Sequence, residues 1–165
     1  LVAAGIRVTL DEREGVTPGF KFNDWEMRGV PLRIEIGPKD VAKNSVALAR
    51  RDRPGREGKS FIPREGLAAA VSAALDEVQK ALLERATQFR KANTHDPKNY
   101  DEFRNAIENG WAFSFWCGSA DCEARIKEET KATIRNIPIE QPGGNGPCIA
   151  CGGPSQERAI FGRAY

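Results

Sequence analysis

Histidine is almost missing from this sequence, since His95 is the single histidine among its 165 residues. Nucleophilic sites of the Ser-His-Asp or Cys-His kind use a histidine as their base. His95 lies in a polar segment, residues 93–97, with no nucleophile signature beside it. We therefore predict a capping or surface role for His95 and no catalytic residue in this chain.

Glycine-rich phosphate loops and long apolar runs are missing as well. Without such a loop nothing indicates a nucleotide-binding turn, and no stretch approaches the ~18 apolar residues of a membrane span. No secretory or transit segment is present, so we expect a cytoplasmic protein without a membrane partner. The net charge is only +2, so any surface that binds nucleic acid has to be local.

Cysteine is scarce, but its spacing is the most informative feature of the chain. Cys117 and Cys122 are separated by four residues, Cys148 and Cys151 by two, and 25 residues lie between the pairs. Two such turns, joined by a supersecondary unit, are typical of a tetrahedral four-cysteine zinc site. Four thiolates leave no position for water, so we expect a structural Zn²⁺. Two disulfides or four unrelated thiols are the alternatives, and the missing secretory segment argues against disulfides.

The first half of the sequence is predicted to alternate strands with short helices. Alternating polar and apolar residues indicate strands at residues 6–10, 30–36, 45–50 and 60–62. Short helices are expected at residues 20–28 and after Gly37. The loop between the last two strands carries five basic residues against two acidic ones: Arg50, Arg51, Arg53, Arg56 and Lys59. Either a solvated surface loop or contact with nucleic-acid phosphates explains this loop.

A long helix, opened by Pro63 and ended by residues 93–97, follows the strands, because apolar residues recur there at three- and four-residue steps. Its end is the predicted domain boundary, so that residues 1–94 and 95–165 form two domains. The second domain is expected to be α/β as well. Its predicted helices are residues 100–107 and 119–130, and its predicted strands are residues 111–116, 133–137 and 158–165.

The first five residues have the pattern of a last helical turn, with Gly5 as its C-terminal cap. A chain that starts inside a helix is expected to continue a longer protein. We therefore expect further sequence on the N-terminal side of residue 1.

Two blocks of the sequence resemble one enzyme family. Residues 19–26 (GFKFNDWE) and 29–40 (GVPLRIEIGPKD) are similar to the anticodon-binding domain of class II aminoacyl-tRNA synthetases, most closely to the archaeal/eukaryotic type of prolyl-tRNA synthetase. Residues 116–130, the second cysteine pair and the closing residues 163–165 resemble the C-terminal zinc domain of that family. Both blocks stand in the family's order and together extend over the whole chain. Prolyl enzymes of the bacterial form lack this C-terminal extension.

The resemblance implies a truncated anticodon-binding domain, with a mixed sheet flanked by helices, followed by a small α/β zinc domain. It also implies that the intact protein is a proline–tRNA ligase and a homodimer. Its catalytic core, with ATP and Mg²⁺, would lie upstream of this chain. The implied partners are tRNA(Pro) and that catalytic domain.

The same resemblance implies which residues read the anticodon. Proline anticodons share two guanines, and guanine offers N1–H and N2–H₂ as donors and O6 and N7 as acceptors. The family motif assigns these contacts to Glu26 on the short helix, Arg33 on the next strand and Lys59 in the basic loop. Arg51 and Arg56 are the alternatives to Lys59. Trp25, beside Glu26, suits stacking on a base.

The apolar and aromatic tail, residues 159–165, is predicted to be a packed strand. In the family the end of the chain lies near the catalytic domain, so we expect Tyr165 and its carboxylate to dock there. A frayed terminus is the alternative.

Two other functions stay open at this point. One is a stand-alone zinc-stabilised module that binds RNA or regulates a partner, and the other is an interaction domain whose four-cysteine unit is the docking surface. The helix interrupted at residue 1 favours the synthetase over both. An upstream catalytic domain with class II motifs would decide among the three.

Overall fold

The computed structural model describes residues 1–163, and the chain divides into two compact units, Leu1–Ala86 and Thr87–Tyr165. Each unit combines a β-sheet with helices, so the expected α/β class is confirmed. The domain limits 1–94 and 95–165 stay a prediction. Tyr165, the predicted docking residue, lies outside the described residues. Within residues 1–163, no helix has the length and apolar character that crossing a membrane requires.

The first unit holds three strands, two short α-helices and most of one long α-helix, besides two 3-10 turns at Val2–Ala4 and Gly55–Gly58. These elements are α1 (Pro18–Met27), β1 (Leu32–Glu35), α2 (Pro38–Ala42), β2 (Ser45–Arg50), β3 (Lys59–Pro63) and α3 (Leu67–Ala92), the last of which continues into the second unit. Thr17 caps α1, because its side chain accepts a hydrogen bond from the Phe20 N–H at 3.3 Å. Asp40 closes the start of α2 by accepting from the Gly37 N–H at 2.9 Å.

The sheet of the first unit has the order β1-β2-β3, and both pairings are antiparallel. One of its faces packs on α3, where Leu48 of the central strand lies against Val71 and Ala74. Side chains that alternate with Leu48 point to the other face. Directly across that face, Arg33 pairs with Ala49, and Ala49 pairs with Lys59. The small alanine therefore separates two long cationic side chains.

Two predictions for the first unit are wrong. Residues 6–10 form no strand, and Val8 and Leu10 stay 49% and 77% exposed. Their alternation supplies the strand pattern, but a strand also needs a hydrogen-bonded neighbour, and neither edge of this sheet pairs with them. Pro63 ends β3 instead of opening the long helix, as proline is tolerated on an edge strand.

The second unit is built on a mixed sheet of four strands: β4 (Thr94–His95), β5 (Trp111–Phe115), β6 (Ala132–Asn136) and β9 (Arg158–Arg163). Their order in the sheet is β4-β5-β9-β6. Two further strands, β7 (Gly146–Pro147) and β8 (Pro154–Ser155), form a separate hairpin. Strands β4 and β5 are parallel and the other pairings are antiparallel. Helices α4 (Tyr100–Asn109) and α5 (Ala120–Thr130) supply Phe103, Ile107 and Ile126 to the core, beside Phe161 of β9.

Candidate nucleic-acid interface and metal site

Four charged side chains of the first unit form one connected cluster. Arg33 donates from Nη1 to Glu26 Oε1 at 2.5 Å and from Nε to Glu35 Oε1 at 3.0 Å. Lys59 donates from Nζ to Glu35 Oε2 at 2.6 Å. The three residues named from the family motif therefore lie together, joined by Glu35. We call Glu26, Arg33, Glu35 and Lys59 the charged cluster.

Each element brings its member to the cluster for a local reason. Glu26 follows Phe22 by four residues on α1, so both project from one side of the helix. Arg33 and Glu35 are two apart on β1 and share a face, as the alternation of Leu32 and Ile34 into the core requires. Lys59 begins β3, two strands away from Arg33.

The Arg33 guanidinium is held on three sides. Its central carbon lies over the Phe22 ring, 3.9 Å from the ring centroid, a cation–π distance. Its Nε and Nη1 groups face the two carboxylates. The guanidinium is therefore oriented before any ligand arrives.

The cluster contains two carboxylates and two cations, so its formal charge is zero. Burial raises the pKa of the Glu35 carboxyl, but the hydrogen bonds and charges of Lys59 and Arg33 outweigh it and hold that pKa below its ordinary range. Glu35 therefore stays ionised at neutral pH. A cluster without net charge does not attract phosphate strongly by itself.

Trp25, expected to stack on a base, has another partner in the structure. Its indole Nε1–H donates to Asp11 Oδ2 at 2.8 Å, and the Arg28 and Arg13 guanidinium carbons lie 5.0 and 5.9 Å from its ring centroid. Asp11 also accepts from Arg13 Nη2 at 2.7 Å. These contacts fasten the segment before α1 to the helix.

The basic residues of the loop between β2 and β3 differ in their contacts. Arg50 is engaged with Asp52 and with Glu77 of α3. Arg51 and Arg56, the alternatives to Lys59, are exposed, and neither belongs to the charged cluster. Lys59 alone among the five basic residues joins Arg33 through Glu35. Its assignment to the anticodon stays a prediction, as do those of Glu26 and Arg33.

Sequence reasoning missed Glu35, Phe22 and Ala49. A usable signal for Glu35 was its position two residues from Arg33 on one strand face. Phe22 lies four residues before Glu26, which is the spacing of helix neighbours. The sequence alone gives no signal for Ala49, because its place between Arg33 and Lys59 depends on how three strands pair.

The four cysteines of the second unit converge on one point. Their Sγ atoms all lie within 4.8 Å of one another, and all four thiols are free. Cys117 and Cys122 are 3.6 Å apart, and Cys151 lies 3.9 Å from Cys117. A tetrahedral ion with bonds of about 2.3 Å requires sulfurs about 3.8 Å apart. The four residues can therefore hold one metal ion, whereas a disulfide would need about 2.0 Å.

Two backbone turns aim these sulfurs. Cys117 follows β5, and Cys122 lies in the first turns of α5. Cys148 and Cys151 lie in the tight turn between β7 and β8, which Gly152 closes with a positive φ of 73°. Cys148 N–H donates to Gly153 O at 2.7 Å across this turn.

Backbone amides also prepare the thiols for a cation. Burial raises the pKa of Cys148, but amides of the turn donate to its sulfur and lower its pKa to about 7. The Gly153 N–H reaches Cys151 Sγ at 3.4 Å. Burial and the neighbouring thiols raise the pKa of Cys122 to about 12. Four thiolates this close together would repel one another without a metal ion between them.

His95 is exposed on the two-residue strand β4, paired with Ala112. It lies at an open surface depression of about 440 Å³ together with Asp96, Glu102, Asn105 and Asn109. This position agrees with the surface role expected for it.

The comparisons with known proteins agree with the geometry of both units. Residues 1–85 match the family described as "Anticodon binding domain", and the first unit is therefore an anticodon-binding domain. Residues 100–165 match the family "Prolyl-tRNA synthetase, C-terminal". The chain belongs to the prolyl-tRNA synthetase family.

Individual relatives of the chain are named proline–tRNA ligase. Proline–tRNA ligase of Roseiflexus castenholzii is 53% identical over 160 residues, which are 97% of this chain and 33% of that protein. The chloroplastic/mitochondrial proline–tRNA ligase of Arabidopsis thaliana is 50% identical over 169 residues, 100% of this chain and 31% of that protein. The chain thus spans about a third of the length of these relatives.

A solved structure shares the fold. The crystal structure of prolyl-tRNA synthetase from Cryptosporidium parvum, complexed with L-proline and AMP, superposes with a TM-score of 0.88 at 32% identity. The match covers 99% of this chain and 35% of that one. Both units therefore have counterparts in one synthetase.

Proposed function

We propose that this chain is the tRNA-binding region of a cytoplasmic proline–tRNA ligase, which binds the anticodon of tRNA(Pro) and braces the catalytic domain. The observation that supports it most is the charged cluster inside a domain of the anticodon-binding family. In the intact enzyme, a homodimer, the catalytic domain would use ATP and Mg²⁺ to attach proline to the tRNA.

The arrangement of Glu26 beside Arg33 suits one guanine. The Watson–Crick edge of guanine places two donors, N1–H and N2–H, next to the acceptor O6. A carboxylate accepts from the donors, while the adjacent guanidinium donates to O6. Their present hydrogen bond at 2.5 Å sets the two groups side by side. A second guanine would then be read through O6 and N7 by Lys59.

The test is binding of an RNA hairpin that carries a proline anticodon, measured by fluorescence anisotropy. Glu26→Gln and Arg33→Ala should each weaken binding by roughly 1–3 kcal/mol. Against a hairpin whose two guanines are replaced by adenine, the same variants should lose almost nothing.

Lys59→Ala is compared with Arg51→Ala and Arg56→Ala, which remove equal charge from the same loop. Only the Lys59 variant should lose discrimination between the two hairpins. Equal affinity of the unmodified chain for both hairpins would refute the proposed function.

The cysteine site is proposed to hold one structural Zn²⁺, with Cys117, Cys122, Cys148 and Cys151 as ligands. The sulfur separations and the amides directed at Cys148 and Cys151 support this donor set. When bound, the ion supplies a crosslink between two turns and no catalytic chemistry. The domain limits proposed with this assignment are residues 1–94 and 95–165, and Tyr165 is proposed to dock on the catalytic domain.

A further inference from the structure

Glu35 differs from the other acidic member of the charged cluster in how it uses its oxygens. Its Oε1 accepts from Arg33 at 3.0 Å and its Oε2 accepts from Lys59 at 2.6 Å. Glu26 uses only Oε1 in the cluster. The Glu35 side chain is 20% exposed and that of Glu26 is 43% exposed. Glu26 can therefore turn towards a base, whereas both oxygens of Glu35 are occupied by cations.

The distance that Glu35 spans follows from the sheet. Arg33 and Lys59 belong to the two outer strands, and neighbouring strands are about 4.8 Å apart, so their backbones are separated by roughly 10 Å. Ala49 lies directly between them on the central strand and is 8% exposed. A methyl group fills little of the gap above β2, and the Glu35 carboxylate joins the two cations across it.

Removal of this carboxylate would affect both cations. Arg33 would keep its contacts with Phe22 and Glu26. Lys59 would lose its carboxylate partner, and its side chain has four rotatable bonds. The positive charges of Arg33 and Lys59 would then repel each other. Loosely held cations still attract phosphate, which carries no sequence information. Base reading, in contrast, depends on donors held in place before the base arrives.

We propose that Glu35 is a positioning residue that fixes the separation of Arg33 and Lys59, so that both anticodon guanines are read as one unit. This inference rests on the proposed function. It assigns to Glu35 no contact with the RNA. Its effect is therefore expected at both guanine positions, while each base-reading residue acts at one.

The experiment compares Glu35→Gln with Glu26→Gln on three hairpins: one with both guanines, and two in which one guanine is replaced by adenine. Discrimination is the ratio of dissociation constants. For Glu35→Gln we expect discrimination to fall about tenfold at both positions, within the range of one base contact. For Glu26→Gln we expect the fall at one position only.

The salt dependence of binding distinguishes this role from a purely structural one, which would leave that dependence unchanged. Glu35→Gln leaves one cation without a counter-charge, so the slope of log affinity against log salt should steepen by about one. Glu65→Gln, on an exposed turn of the same unit, removes the same charge outside the cluster and should leave discrimination unchanged. Glu35→Asp restores the charge but is shorter, so it should recover the slope and not the discrimination.

Three outcomes would overturn the inference: unchanged discrimination in Glu35→Gln, a fall at one position only, or full recovery by Glu35→Asp. The first of these includes a uniform loss of affinity for all three hairpins, which would make Glu35 a stability residue. If the unmodified chain itself fails to discriminate, the proposed function fails first, so the two failures are distinguishable.

Discussion

Three contacts on one guanidinium determine what Arg33 can do. Its central carbon lies over the Phe22 ring, Nε donates to Glu35, and Nη1 donates to Glu26. Such a group differs from a solvated arginine, because its donors have a direction before the ligand binds. The family motif named Arg33 and Glu26, but not Phe22, which lies on α1, or Glu35, which lies two residues further along β1.

The contribution of the Asp11 carboxylate to stability can be tested by its dependence on pH. Hydrogen bonds from Arg13 and Trp25 lower the pKa of Asp11 from its ordinary value of 3.8. A carboxyl whose pKa is lowered by folding stabilises the protein above its unfolded pKa, and this stability is lost as the pH falls. Asp11→Asn should therefore reduce the melting temperature at pH 7 and converge with the unmodified chain as the pH falls well below 3.8.

The measurement is thermal unfolding followed by Trp25 fluorescence in a Trp111→Phe, Trp116→Phe background. Glu12→Gln, at an exposed neighbouring position, is the matched control and should show no such convergence. A difference that stays constant from pH 7 to pH 2 would mean that the carboxylate charge is not the cause.

At the scale of elements, periodicity predicted most helices and strands, but not which segments pair. Residues 6–10 have the alternation of a strand and lack a neighbour, while β4, β7 and β8 are two-residue strands defined only by their partners. The face of β1 was predictable, since Leu32 and Ile34 are apolar and Arg33 and Glu35 are charged. Their approach to Lys59 was not, because it depends on the register across β2.

Ala49 makes that register testable. Ala49→Leu would place four carbon atoms between Arg33 and Lys59, at a position that is 8% exposed. Overpacking should cost about 1–3 kcal/mol of stability, and the hairpin discrimination should fall as the cations separate. Ala49→Gly keeps the gap open at a cost of about 0.5–1 kcal/mol and should retain discrimination. If both variants discriminate equally well, the gap above β2 has no role in recognition.

At the scale of the whole molecule, the resemblance predicted the family, which the comparisons confirm, and the spacing of the four cysteines predicted a metal site. The spacing of the cysteines was sufficient because each pair forms one local turn. The charged cluster needed the folded chain, since its members come from α1, β1 and β3. The assignment of these residues to the anticodon stays a proposal.

The two compact units should respond differently to loss of the metal ion. Cys148 is 2% exposed beside the core of the second unit, and the proposed ion joins its turn to Cys117 and Cys122. Because structural zinc contributes folding free energy directly, Cys148→Ser or a chelator should unfold the second unit. Leu48, Val71 and Ala74 supply the first unit with its own core, so the charged cluster should keep its preference for the guanine hairpin.

Metal analysis of the reduced, folded chain should give one zinc per molecule, with zinc–sulfur distances of about 2.3 Å by X-ray absorption. Fluorescence of Trp116, next to Cys117, should report the loss of the second unit, while hairpin binding reports the first. Ser155→Ala, which removes a hydroxyl bonded to the Trp116 carbonyl, is the control for local disturbance without ligand loss. Zinc far below one per chain would contradict the metal site, and loss of hairpin discrimination together with the zinc would contradict the independence of the two units.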